Sequence, residues 1–398
     1  MFDFDKIVNR RHSNCVKWDE MKSDDVIPMW VADMDFQTAP CIINALQKRV
    51  THGVFGYTLV GDEYYDAVVS WWKRRHQWNI RHEWIQYVPG VVPAISVIIK
   101  ALTQPGDKVI VMTPVYNCFY SSIRNNGCEI STCSLRRIDN NDGSFTYEID
   151  FEDLDSKTAD KDAKLLLLCN PHNPAGRVWS REELRNINKV CMKNGVRVVS
   201  DEIHCELVMP GNEFTPFASV SKECQDNSIT CNSPSKSFNT AGLQIANIIC
   251  NDADLRQKID RAININEVCD VNPFGVAGLI AAYNEGEQWL DELNAYLYSN
   301  YLTLVDMVRK DIPSDQVKVC QLEGTYLVWM DVSGLLSDLG GKDSEELCHK
   351  LEKEAKVYFN PGTMYDHDNG SSFIRINIAC PRSQMVEGMK RFAQYVRK

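Results

Sequence analysis

One lysine set among small hydroxylated residues, Lys236 in Ser233-Pro-Ser-Lys-Ser-Phe-Asn-Thr-Ala-Gly242, is the most chemically suggestive group in the chain. An amine that forms a Schiff base must shed its proton, which requires partial desolvation or a nearby cation, and its neighbours must be small enough to admit a cofactor. Ser233 and Ser235 offer hydroxyls suited to a phosphate, as turn or helix-start N–H groups do. Alone, the segment reads as a solvated loop, so partners must come from elsewhere in the chain. Asp201, in Ser200-Asp-Glu-Ile-His204, is a carboxylate suited to pair with a protonated pyridine nitrogen and keep such a ring an electron sink; the plainer reading is a helix N-cap. Asn173, in Asn170-Pro-His-Asn-Pro-Ala-Gly176, is a neutral donor for a ring oxygen or simply part of a Pro-Gly turn. Tyr116 offers a flat face for stacking, or a core ring.

The elements that would position these four residues follow from hydrophobic patterning. Short apolar runs at Lys108–Met112, Lys164–Cys169 and Val196–Ser200 read as buried strands, and Ser228-Ile-Thr-Cys-Asn232 is a further strand-like segment. They are separated by helical segments, among them one opening at Gly90-Val-Val-Pro93 and another from Ser180 to about Asn194 with a capping-box start. Such alternation indicates a mostly parallel sheet covered on both faces, in which ligands bind beyond the carboxyl ends of the strands. Tyr116, Asn173, Asp201 and Lys236 all fall at such ends. Two further helices are expected, from Pro40 to about Val50 and from about Gly61 to Trp78, with a Gly-rich break between them that carries Tyr57. After Asn251 the chain turns helical, with a long segment from about Glu285 to Lys310. It then yields strands at Tyr326–Met330 and Phe373–Ile378 and a helix from Ser344 to about Ala355, which read as a smaller α+β domain. Near the amino terminus, Ile27–Phe36 is a short apolar stretch broken by acids, either an edge segment on a core or an arm facing substrate; Trp30 stands in it.

Bulk properties narrow the function. With 398 residues, 44% hydrophobic and 24% charged, the chain suits a two-domain globular protein. A net charge of −11 without basic blocks argues against nucleic acid or an anionic membrane as partner and favours a small molecule. The 15 cysteines form no CxxC pair, and the first residues lack a basic region followed by an apolar core, so reduced thiols and a cytoplasmic location are expected. There is no HExxH, Walker-type or GxGxxG motif, and no metal is expected; a metal held by Asp201, Glu202 and His204 is the lesser rival.

The set Tyr116, Asn173, Asp201, Lys236, with Arg375 on the last strand, resembles the fold-type-I pyridoxal-phosphate enzymes of the class I and II aminotransferase group. The match is distributed from about residue 30 to 380. The resemblance implies an α/β fold with a mostly parallel, seven-stranded large domain over 46–285, an amino-terminal arm over 1–45, and a small α+β domain over 286–398. It implies that Lys236 is the Schiff-base lysine, Asp201 the pyridinium partner, Asn173 the contact to the ring hydroxyl oxygen and Tyr116 the stacking aromatic. Backbone amides at Val92 and Pro93, with Ser233 and Ser235, would meet the phosphate. Tyr57 matches the tyrosine lent to the phosphate by the neighbouring subunit, which implies a homodimer with shared sites; positioning or protonating the leaving sulfur is a lesser role open to the same residue. Arg375 matches the arginine that binds the substrate α-carboxylate bidentately, with Trp30 beside the substrate.

Two departures sharpen the resemblance. Aspartate aminotransferases have tyrosine three residues after the aspartate and arginine eight after the lysine, where this chain has His204 and Gln244. Those departures, with the Met29–Phe36 segment and Pro-Ser-Lys-Ser-Phe-Asn, look like the MalY/PatB-type cystathionine β-lyases. The implied reaction is β-elimination at a C–S bond of cystathionine, cysteine or a related S-conjugate, giving a thiol, pyruvate and ammonia. Amino-acid transamination is the alternative, and a non-catalytic binding protein that keeps the fold is a third.

Overall fold

Apolar residues at successive positions build the central sheet of the computed structural model, which describes residues 2–338 and 341–397. Its strands are β1 (Ile85–Val88), β2 (Lys108–Thr113), β3 (Glu129–Ser134), β4 (Ala163–Cys169), β5 (Arg197–Asp201), β6 (Ser228–Asn232) and β7 (Ala246–Ile249). They lie in the order β1-β7-β6-β5-β4-β2-β3. Pairing is parallel throughout, except that β7 runs antiparallel to both β6 and β1. Period-two alternation divides one run between two cores. Val109, Val111, Leu165 and Leu167 face the core shared with helix α1 (Val91–Leu102). Ile110, Met112, Leu166 and Leu168 face the opposite core, which includes Leu184 and Ile187 of helix α2 (Arg181–Lys193). The sheet is thus covered on both sides, as its unalternating strands require.

Helix α2 begins where its capping box predicts: Ser180 accepts from the Glu183 amide, and the Glu183 carboxylate accepts from the Ser180 amide. The helix α3 (Glu287–Asp311) leads from the large sheet to the second one and buries Trp289, Leu293, Leu297, Leu304 and Val308 at helical spacing. The second sheet is antiparallel: β8 (Lys318–Val319), β9 (Leu327–Asp331), β10 (Asn360–Pro361) and β11 (Phe373–Asn377), in the order β8-β9-β11-β10.

Several elements differ from the sequence expectation. Strands β1 and β7 are four residues each, and β7 contains Asn247, a polar residue that interrupts any apolar run. Asn247 is buried because its amide oxygen accepts from the Tyr64 hydroxyl at 2.6 Å. The antiparallel pair Arg136–Asp139 and Phe145–Glu148 is likewise invisible in hydropathy, since charged residues line it. The helix expected over Ser344–Ala355 is α-helical to Lys350 and then opens into a wider turn over Leu351–Ala355. At the amino terminus, Ile27–Pro28 pairs in parallel with Val357–Tyr358, which docks the following segment, Met29–Phe36, beside the second sheet. Among the described residues, no helix is long and apolar enough to cross a membrane.

Candidate active site

Four strand ends converge on one cavity of about 430 Å³. Strands β4, β5 and β6 run in register with Cys169 opposite Asp201 and Asp201 opposite Cys231, so the Asp201 carboxyl stands between two thiol side chains on one sheet face. It is 3% exposed and, among the described residues, accepts one hydrogen bond, from the Ile203 amide at 3.1 Å. Burial pushes its pKa up to about 7, opposed by the Ile203 hydrogen bond and the charge of Lys236. Glu202, the next residue, points to the other face, where it accepts from the Ser200 hydroxyl and the Phe217 amide, both at 2.8 Å. Asp201, Glu202 and His204 therefore do not converge on one point as a metal site would need.

Lys236 follows β6 on a short helical turn, Pro234–Ser237. Its amine donates to the Ala32 carbonyl at 2.6 Å. Burial first, and the nearby Arg375 guanidinium second, lower its pKa to about 8, so a neutral amine is accessible near neutral pH. His204 also lines the cavity. Burial holds it well below 6.5, which favours the neutral ring, and its Nδ1 has no hydrogen-bond partner among the described residues. Tyr116 lines the wall, its ring edge-on to Phe119 at 5.9 Å and its hydroxyl held protonated by burial.

Arg375 enters from β11 and is 3% exposed. It donates to Asn173 Oδ1 at 3.1 Å and to the Trp30 carbonyl at 2.9 Å, and lies over the Tyr365 ring at 4.6 Å. Asn173 keeps its NH₂ as a donor toward the cavity that it lines. Trp30 reaches the site through its main chain; its indole donates to the Lys17 carbonyl at 2.9 Å and stands edge-on to Tyr358. Tyr57 is fully exposed and does not line the cavity of its own chain.

At the far end, helix α1 opens at Gly90 with no side-chain cap. The amides of Val91 and Val92 face out of the helix start with no carbonyl inside it to receive them. Pro93 lines the cavity but has no N–H, so the backbone donors at this end are Val91 and Val92 rather than Val92 and Pro93. Ser233 donates to the Ile245 carbonyl at 2.6 Å and accepts from the Ser235 amide at 3.1 Å, which commits its hydroxyl to the turn. Ser235 has no such commitment among the described residues. Gln244 lines the mouth, in a left-handed conformation. Lys236 is the one cationic side chain among the described residues that line the cavity. Sequence reasoning missed Ala32 and Tyr326, which meet where the Tyr326 hydroxyl donates to the Ala32 carbonyl at 2.9 Å. A carbonyl leaves no residue-type signal, and Tyr326 reads as one more strand aromatic.

The sequence profile of the aminotransferase class I and II family matches residues 24–392. The chain belongs to that family. Among family relatives, it is 41% identical to cystathionine β-lyase PatB of Bacillus subtilis (strain 168), over 98% of each chain, and 33% identical to protein MalY of Escherichia coli (strain K12), over 100% of this chain and 99% of that one. It is also similar to the crystal structure of cystalysin from Treponema denticola, which contains pyridoxal 5′-phosphate: the TM-score is 0.92 at 35% identity, covering 100% of this chain and 99% of the other. The residues present fit that cofactor of the family. Asp201, buried and with a single backbone donor and no cation bonded to it among the described residues, suits a pyridine nitrogen that carries a proton. Asn173 suits the ring oxygen, and the Val91 and Val92 amides with the Ser235 hydroxyl suit the phosphate.

Proposed function

We propose that the chain is a pyridoxal-phosphate-dependent carbon–sulfur β-lyase that acts on cystathionine, cysteine or a related S-conjugate and releases a thiol, pyruvate and ammonia. The observation that carries the reading is the Lys236 amine, which lines one cavity with Asp201 and Asn173 and is lowered toward neutrality by burial and by the nearby Arg375 guanidinium. Similarity to PatB at 41% identity supports the lyase branch.

When bound, pyridoxal phosphate supplies an electron sink for charge that develops at the substrate Cα. Everything else is done by the chain. Arg375 binds the α-carboxylate, which fixes the substrate at one end. The Lys236 amine, freed when the substrate amine takes its place, accepts the Cα proton as general base. The Cβ–S bond then breaks, its electron pair leaves with sulfur, and the thiolate takes up a proton. Asp201 keeps positive charge at the pyridine nitrogen, and neutral His204 adds no competing cation. Tyr57, exposed on its own chain, belongs in this reading to the site of a second copy, at the phosphate and near the leaving sulfur; the assembly is then a homodimer. Neutral donors at the phosphate and Gln244 at the mouth fit the lyase branch.

Incubation of holoenzyme with cystathionine tests the proposal. Stoichiometric pyruvate and thiol are expected. Accumulation of the aminated cofactor without pyruvate overturns the lyase reading in favour of an aminotransferase.

A further inference from the structure

The sequence motif Pro-Ser-Lys-Ser-Phe-Asn leaves its asparagine without a role in the chemistry above, and the structure supplies one. Asn239 stands three residues after Lys236 with φ 54°, a left-handed conformation that asparagine tolerates better than most side chains. Its Oδ1 accepts from the Met34 amide at 3.0 Å, and its NH₂ donates to the carbonyls of Met34 and Phe36, both at 2.9 Å. On the other side, Asn377 stands two residues after Arg375 on β11, hence on the same strand face. It is 1% exposed, and its NH₂ donates to the Val31 carbonyl at 2.5 Å and the Asp33 carbonyl at 2.6 Å, while its Oδ1 accepts from the Ala379 amide at 2.7 Å. Asn239 thus spends both ends of its amide on the arm, and Asn377 spends both N–H groups there while its oxygen is held by its own chain at Ala379.

The arm answers with its own carbonyls. Between the points fixed by Asn377, the Ala32 carbonyl receives Lys236, and two residues before Ala32 the Trp30 carbonyl receives Arg375. We propose that Asn239 and Asn377 are positioning residues for the reaction: by fastening Val31–Phe36 to the lysine loop and to the arginine strand together, they place the Ala32 and Trp30 carbonyls that aim the Lys236 amine and the Arg375 guanidinium. Two hydrogen-bond circuits share the arm, one through Lys236, Ala32, Met34 and Asn239, the other through Arg375, Trp30, Val31 and Asn377. Loosening either changes the aim of one functional side chain. The inference rests on the proposed roles of Lys236 and Arg375.

Asn239→Gly accepts the left-handed backbone while deleting the amide. Asn377→Asp keeps the acceptor for Ala379 but turns an oxygen toward two carbonyls; Asn377→Ser, which adds no charge, covers the case in which N377D does not fold. In the holoenzyme, hydrogen exchange over residues 29–36 is expected to quicken in all variants. N239G is expected to move the pH midpoint of the cofactor's visible absorbance and lower kcat. The Asn377 variants are expected to raise KM for the amino acid by on the order of tenfold with a smaller change in kcat, the effect of a lost buried hydrogen bond on Arg375. Faster exchange with midpoint, kcat and KM all unchanged overturns the proposal, because the asparagines then only hold the arm; so does unchanged exchange. Lys236→Ala is run alongside. Retention of its visible band at wild-type position overturns the reading of Lys236 and the inference with it, whereas loss of that band with silent asparagine variants overturns the inference alone.

Discussion

Three buried groups near the cavity are displaced in the direction that desolvation dictates, and each displacement has its own measurable signature. Burial penalises the charged form, so Lys236 moves down to about 8 while Asp201 and Glu202 move up to about 7 and about 8. Attack on the cofactor's aldehyde needs the neutral amine. The rate at which cofactor-free protein develops the visible band should therefore climb with pH through about 8 and level off above it; a rate still climbing at pH 10 would place the amine in solvent. Replacing Lys236 by alanine is expected to lower kcat by about 10² to 10⁴, the range of a lost general base, in a pyruvate-release assay. Glu202 has a stability signature instead. Its folded pKa near 8 exceeds the ordinary value of 4.5, so between those values the folded chain binds the extra proton. Its contribution is complete below about pH 4.5 and lost as pH rises through about 8, by up to about 1.4 kcal/mol per pH unit. Asp201 adds a slope of the same sign in cofactor-free protein, so the comparison that isolates Glu202 is wild type against E202Q. Urea unfolding of the two at pH 5 to 8 should diverge steadily; parallel curves would mean that Glu202 is already ionised in the fold.

At the scale of elements, what the sequence made legible was whatever depended on a repeated pattern. Strands β2 and β4 are apolar runs, β5 and β6 carry shorter apolar cores, and the residues at or just beyond their ends, Tyr116, Asn173, Asp201 and Lys236, line the cavity for that reason. Strand β7 was not legible because Asn247 is buried against Tyr64, a partner 183 positions away that no local pattern reveals. The arm was half legible: its apolar character marked Met29–Phe36, but its contribution is made by main-chain carbonyls, which have no residue-type code. Pro93 shows the limit of reasoning by position alone, since a site there cannot use a donor that proline lacks. Local capping, by contrast, was fully readable at Ser180. Ser180→Ala removes the side-chain acceptor for the Glu183 amide and should cost about 1 kcal/mol, visible as an earlier urea midpoint with an unchanged slope.

For the molecule as a whole, one surface stands out. Val54, Phe55, Tyr57 and Leu59 are 63%, 55%, 100% and 88% exposed on a single irregular segment, an apolar exposure that a lone chain has no reason to keep. In the proposed homodimer it is covered, and Tyr57 completes the partner's cavity. Mixing Tyr57→Ala and Lys236→Ala protomers tests this directly. Each single variant should be weakly active, while hybrid dimers carry one site with both defects and one with neither. After full exchange about a quarter of sites become intact, and activity should recover accordingly. No recovery, with hybrids shown to form, would mean that each chain completes its own site.

The lysine's loop has a further consequence through its neck. Ser233 and Ile245 are 12 positions apart in sequence, yet the hydroxyl of one meets the carbonyl of the other at 2.6 Å, and both flank strands of the same sheet. The loop is tied off at its base. Its tip, Ala241-Gly242, is exposed, as cleavable loops are, but a protease must draw roughly ten residues of extended chain into its groove. A tied neck denies it that slack. Native protein should therefore resist nicking between 233 and 245, and a Ser233→Ala chain should be cut there first.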